Sequence, residues 1–242
     1  RQARTEYFLP GSPQRRNQLL GQGPSKIHLL YPSGKLPPFP ALYERTTCLG
    51  RNGSVEALGE ASIRHSYMDK NFHTWMLGLA AQWLGVNQTQ ANSVAPILIS
   101  EEQGRHKSTF CRMLMPPQLA RYYSDNLKLT AQGNPERLLA EMGLLNMDEF
   151  DKFGAQKMPL LKNLMQMSSL NICKAYQKNF RSLPRIASFI GTSNRTDLLC
   201  DPTGSRRFIC IEAEHDIDCT GIEHSQIYAQ LKEELLAGAR HW

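Results

Sequence analysis

The sequence predicts an α/β domain with a mostly parallel central sheet flanked by helices, preceded by a largely irregular segment. Three observations carry this. Short continuous apolar runs bounded by turn residues recur after residue 72. Stretches with helical spacing separate those runs. Residues 1–71, by contrast, show no sustained period of 2 or 3.6 and hold 7 of the 14 prolines. Strands alternating with helices form a parallel sheet, so the organised domain is expected over 72–242.

The first segment is the least patterned. YPSGKLPPFPALYERTTCLGRNGS is broken by Pro or Gly wherever an element starts. SVEALGEASIRH is its only helical hint, and Gly59 interrupts it. Such a chain buries too little apolar surface to offset its ordering entropy. Residues 1–71 are therefore expected to be irregular or disordered. A frame-shifted reading of a natural domain would explain the abrupt change at Phe72. LGRNGS, for instance, can be encoded so that a one-nucleotide shift reads Trp-Asp-Gly-Thr-Asp-Arg, and NQLLGQGP and LPPFPALYE allow similar readings. Under that explanation Trp75 and Trp83 are partly stripped of partners. The competing explanation is a genuine disordered basic tail.

This segment also holds most of the charge excess. Of the net +6, residues 1–71 contribute 10 Lys+Arg against 5 Asp+Glu, and residues 72–242 contribute 18 against 17. The basic balance is thus poor evidence for a nucleic-acid groove on the folded part.

From Phe72 the elements follow in order. FHTWMLGLAAQWLG places Phe72, Trp75, Met76, Leu79, Ala80, Trp83 and Leu84 at helical spacing, as a core-facing helix does. APILIS (95–100) reads as a buried parallel strand. KSTFCRMLM reads as a helix stopped by Pro116-Pro117. NPERLLAEM is a helix with Asn134 as N-cap and Pro135 at its first position. GLLNMDEFD is a buried strand ending in acid, and QKMPLLKNLMQM a helix that tolerates Pro159 in its first turn. LNICKAYQKNFRSLP alternates loosely and fits a hairpin or a loop. RIASFIGTSN and SRRFICIEA are two further strands, and SQIYAQLKEELLAGA is a closing amphipathic helix.

Ligands of open α/β sheets sit at the carboxyl ends of strands. After the first strand come Gly104, Arg105, His106, Lys107, Ser108 and Thr109; after the second, Asp148 and Glu149; after the third, Thr192, Ser193 and Asn194. Arg206 and Arg207 stand just before the fourth. Taken as converging on one edge, this set suits phosphoryl transfer from ATP, and the fold expected is a P-loop NTPase. Backbone N–H groups of the loop and Lys107 would hold phosphates at a helix N-terminus. Ser108 and Asp148 would hold Mg2+. Glu149 would polarise the attacking water, Asn194 would orient it, and an arginine would meet charge developing on the γ-phosphate. Each piece alone is ordinary; a turn, a charged strand end or a surface arginine pair explains it. The order strand–loop–KS, strand–DE, strand–N, loop–RR–strand is what chance does not readily supply.

From about Phe72 onward the chain resembles the virulence-associated protein E family, most specifically in HKST, LLNMDEFD, LPRIASFIGTSNR and DPTGSRRF. The resemblance implies a P-loop ATPase akin to superfamily 3 helicases. It places the family's lysine on Lys107, its metal hydroxyl on Ser108, its acidic pair on Asp148 and Glu149, its asparagine on Asn194 and its arginine pair on Arg206 and Arg207. It further implies a homo-oligomer, including a ring, acting on single-stranded DNA in replication of a mobile element, with a primase domain or partner. Two departures stand out. Glu101 and His106 occupy positions where the family pattern commonly has Gly. A Cβ in a left-handed conformation at 106 costs on the order of 1 kcal/mol. The Glu101 carboxylate would repel phosphate unless it points outward or Arg105 neutralises it. The lysine, the hydroxyl, both acids and both arginines all survive, which favours a functional but atypical site. The alternative is a degenerate nucleotide-binding or assembly module without ATPase activity.

Other classes are poorly supported. No apolar run reaches the roughly 18 residues a membrane span needs, and RQARTEYFLPGSPQRRNQ lacks a secretory apolar run. The six cysteines form no CxxC pair, so scattered thiols in a reducing cytoplasm are expected. A Cys/His enzyme using Cys200 or Cys210 with His215 has no motif behind it. The chain ends at ARHW, and a natural continuation beyond Trp242 is expected.

Overall fold

The computed structural model describes residues 66–86, 90–130, 134–173, 180–195 and 205–241. The expectations for residues 1–65 lie outside these. The elements, in chain order, are α1 (Ser66–Leu84), β1 (Ala95–Ile99), α2 (Lys107–Met113), β2 (Tyr123–Ser124), α3 (Pro135–Glu141), β3 (Leu144–Met147), α4 (Met158–Gln166), β4 (Ser169–Cys173), β5 (Phe180–Pro184), β6 (Ser188–Ser193), β7 (Phe208–Glu212) and α5 (His224–Leu236). Every predicted helix and strand after Phe72 is present. LNICKAYQKNFRSLP contributes an antiparallel pair, β4 with β5.

The main sheet has the order β2-β3-β6-β1-β7, and every neighbouring pair in it is parallel. β1, β3 and β6 are buried throughout, because side chains alternate between two covered faces. Leu98, Leu144, Ile190 and Ile211 join Trp75, Phe110 and Leu231 from α1, α2 and α5. Ile97, Ile99, Leu145, Met147 and Phe189 join Leu139, Leu161 and Leu164 from α3 and α4. That double burial is why these strands read as continuous apolar runs.

Helix α1 begins at Ser66, ahead of Phe72. Trp75 and Trp83 are only 2% and 3% exposed, so the expected stripping of their partners is not met. Trp83 donates its ring N–H to the Gly143 carbonyl at 3.2 Å and stacks on Tyr228 at 5.3 Å. Asn134 does precede Pro135 at the start of α3, but it sits in the left-handed region (φ 44°) and its side chain caps nothing.

Two features lock β6 into the middle of the sheet. A Cβ added to Gly191 would come within 2.7 Å of Ile97 Cδ1 and 3.2 Å of the Met147 carbonyl, so only glycine lets the three strands approach. Arg185, 3% exposed, donates to the carbonyls of Ala187, Leu164, Met165, Met167 and Asn92. Burial pulls its guanidinium down to about 9. The carbonyls it ties together come from the last turn of α4, the start of β6 and the approach to β1.

Candidate functional site

β6 lies between β1 and β3, so whatever follows β6 falls between the loop after β1 and the acids after β3. The loop from Ser100 to His106 turns sharply, with Gly104 at φ 86° and His106 at φ 58°. His106 therefore does carry a Cβ in the left-handed region, at the residue just before α2. Lys107 is the first residue of that helix and is 7% exposed. Its Nζ donates to the Ser100 carbonyl at 3.1 Å, the Glu102 carbonyl at 3.3 Å and Asn194 Oδ1 at 3.0 Å. Burial lowers this ammonium below the ordinary lysine value; Asp151 and Asp148 pull it back up, and Arg105 pushes it down.

At the next residue, Ser108 Oγ donates to Asp148 Oδ1 at 2.7 Å. Thr192 Oγ1 donates to the same carboxylate oxygen at 2.6 Å and accepts the Glu149 backbone N–H at 3.2 Å. Glu149 is in the left-handed region (φ 51°), and its carboxylate pairs with Lys152 at 2.6 Å. Asp151 Oδ1 accepts the Ser193 hydroxyl at 3.1 Å and the Asn194 backbone N–H at 3.4 Å. Lys107, Ser108, Asp148, Glu149 and Asn194 thus all lie at the carboxyl edge of β1, β3 and β6. Thr109 is exposed on α2.

Of the two ways open to Glu101, the exposed one is met, while Arg105 forms its ion pairs with Glu102 and, at 3.1 Å, with Asp216. Its carbonyl also accepts the Ile217 N–H at 3.3 Å, so the segment after β7 is tied to the loop. One expectation is corrected: Arg206 and Arg207 do not converge with the rest. They form a 3-10 turn that leads into Phe208, and Phe208 pairs with Ala95 while Glu212 pairs with Ile99. Residues preceding a parallel strand lie on the amino edge. The arginines are therefore a strand length from the cluster, about 16 Å at a rise of about 3.3 Å per residue.

Sequence reasoning missed the parts played by Asp151, Thr192, Glu102 and Asp216. Asp151 stood in the LLNMDEFD stretch and Thr192 at the end of its strand, but nothing local reveals what either meets. Among the described residues, no three His, Cys, Asp or Glu side chains gather as a metal cage. The hard oxygen donors of Ser108 and Asp148 nevertheless suit Mg2+, which favours one or two protein ligands plus phosphate over a protein cage. Cys111, Cys210 and Cys219 are free, and burial pushes all three thiols up. That disfavours a thiolate nucleophile at Cys210; Cys200 lies outside the described residues. None of the described helices is long and apolar enough to cross a membrane.

Residues 57–242 match the virulence-associated protein E-like domain, and the chain belongs to that family. Three solved structures of the NrS-1 C-terminal region share the fold. Two apo structures, one of them the A form, have TM-score 0.52 and 18% identity; they cover 84% of this chain, which covers 47% of the A form and 48% of the other. A further A form apo structure has TM-score 0.53 and 16% identity, covering 84% of this chain and 48% of its own. The chain thus spans about half the length of those structures. No curated protein matches it.

Proposed function

We propose that this member of the virulence-associated protein E-like family is an ATP-hydrolysing P-loop domain of a replication protein, coupling hydrolysis to movement of single-stranded DNA. The observation that carries the reading is the shared carboxylate: Ser108 and Thr192 both donate to Asp148 Oδ1, and Ser108 is next in the chain to the buried Lys107. That is a hydroxyl, an acid and a cation arranged around the start of a helix, which is what a nucleoside triphosphate and Mg2+ require. When bound, Mg2+ ATP supplies the phosphoanhydride to be broken. Lys107 would hold its phosphates, Ser108 and Asp148 its metal. Glu149 would take a proton from the attacking water, and Asn194 would orient that water.

The arginines support a shared site. On the amino edge of their own sheet they are out of reach of their own Lys107, so a role in catalysis places Arg206 or Arg207 against a neighbouring copy. A homo-oligomer, most simply a ring, supplies that arrangement.

A second reading is favoured by one observation. The three N–H donors of Lys107 already have three protein acceptors, as in a fold that serves assembly without turnover. Steady-state ATP hydrolysis with and without single-stranded DNA separates the two. No turnover with or without DNA favours the assembly reading; turnover stimulated by DNA supports coupling, and turnover indifferent to DNA removes the coupling and leaves the ATPase.

A further inference from the structure

We infer that Asp151 is a positioning residue: it fixes the end of β6 so that the Asn194 amide latches Lys107 when no nucleotide is present and is delivered to the reaction when phosphate replaces it. The inference deepens the ATPase reading and rests on it for its kinetic part. Asp151 follows β3 in the 3-10 turn Phe150–Lys152. One oxygen, Oδ1, accepts from both the Ser193 hydroxyl and the Asn194 N–H. Ser193 Oγ in turn accepts the Arg195 N–H at 3.0 Å. The chain leaving β6 is therefore held by a carboxylate from the turn after β3, at Ser193 and at the N–H of Asn194.

Among the described residues, Asn194 Oδ1 is the one side-chain acceptor of Lys107. The other two are carbonyls of the loop itself, which phosphate binding leaves in place. Phosphate oxygens competing for the ammonium therefore displace Asn194 first. An amide so released is useful only if its backbone stays where it was, and Asp151 is the group that keeps it there. Asp151 has no hydrogen bond to Ser108 or Asp148 among the described residues; its bonded link to Lys107 runs through Asn194, beside the direct attraction of its charge for the ammonium.

The test reads Lys107 in nucleotide-free protein, by acylation with acetic anhydride and mass spectrometry, with exposed Lys128 as internal reference. Losing a charge-assisted hydrogen bond should raise Lys107 labelling in Asp151→Ala about tenfold. Asp151→Asn, whose amide oxygen still accepts both bonds, should stay within about twofold of the natural protein. Should Asp151→Ala not fold, Ser193→Ala removes one end of the bridge and carries the same expectation at smaller size. Flat labelling in the alanine variant overturns the inference, and so does an equal rise in Asp151→Asn, which would make the charge and not the bridge responsible. In steady-state kinetics Asp151→Ala should lower kcat about tenfold with KM for ATP unchanged or lower, and Asp151→Asn should recover it. Protection of Lys107 by Mg2+ ATP in the natural protein is a separate arm: its absence counts against the ATPase reading and leaves the labelling comparison intact.

Discussion

Lys107 Nζ and Asn194 Oδ1 stand 3.0 Å apart across the ends of β1 and β6. Their meeting depends on strand order. β6 is inserted between β1 and β3, and the loop after β1 folds back so that its own carbonyls complete the lysine's shell. Nucleotide phosphate would enter by substitution, replacing one acceptor of an already paired cation.

Glu149 should be separable from binding. It lies in the left-handed turn after β3 with its carboxylate on Lys152, and Lys107 makes its hydrogen bonds to other groups. Glu149→Gln is expected to bind ATP as the natural protein does and to lose hydrolysis by about 10²-fold or more, the size of a general-base contribution. Filter binding and phosphate release measure the two halves. Loss of binding in this variant would show that Glu149 holds nucleotide instead of water.

His106→Gly should be stabilising. The residue sits at φ 58°, where removing Cβ relieves on the order of 1 kcal/mol. Denaturant unfolding midpoints measure it. An unchanged or lower midpoint would mean that His106 compensates its own backbone strain.

Arg207→Ala protein mixed with Lys107→Ala protein should recover activity that neither shows alone. Each variant keeps the half of a shared site that the other lacks, since Arg207 precedes β7 at the amino edge. ATP turnover across mixing ratios reads this. Absence of recovery at every ratio, with oligomers verified, would count against a site shared between copies.

Arg185→Met should destabilise the domain strongly. Five carbonyls lose their donor at once, and leaving several of them buried and unpaired costs at least about 3 kcal/mol. Chemical denaturation measures it; a loss under about 1 kcal/mol would show that those carbonyls pair otherwise.

Much of this was legible in the sequence because it depends on local pattern. Ala95–Ile99, Leu144–Met147 and Ser188–Ser193 are buried on both faces, so their apolar runs are unbroken. Tyr123–Ser124 is too short to show any period. Lys107, Ser108, Asp148 and Asn194 follow strands and so land on the carboxyl edge. Arg206 and Arg207 precede one, and strand direction puts them on the other edge. The Arg105–Asp216 and Asp151–Ser193 contacts join distant segments, and no periodicity encodes which side chains meet there. His106 shows the reverse case: its place in the loop implied a left-handed backbone before any geometry was known.

The most direct test of the central claim is Mg2+-dependent release of phosphate from ATP by purified natural protein and by Lys107→Ala. Turnover that requires Mg2+ is expected in the natural protein and a loss of about 10²-fold or more in the variant, since Lys107 is the buried cation at the loop and its removal strips electrostatic stabilisation from the transferred phosphoryl group. Full activity in Lys107→Ala, or no turnover by the natural protein with Mg2+ and single-stranded DNA present, would contradict that claim.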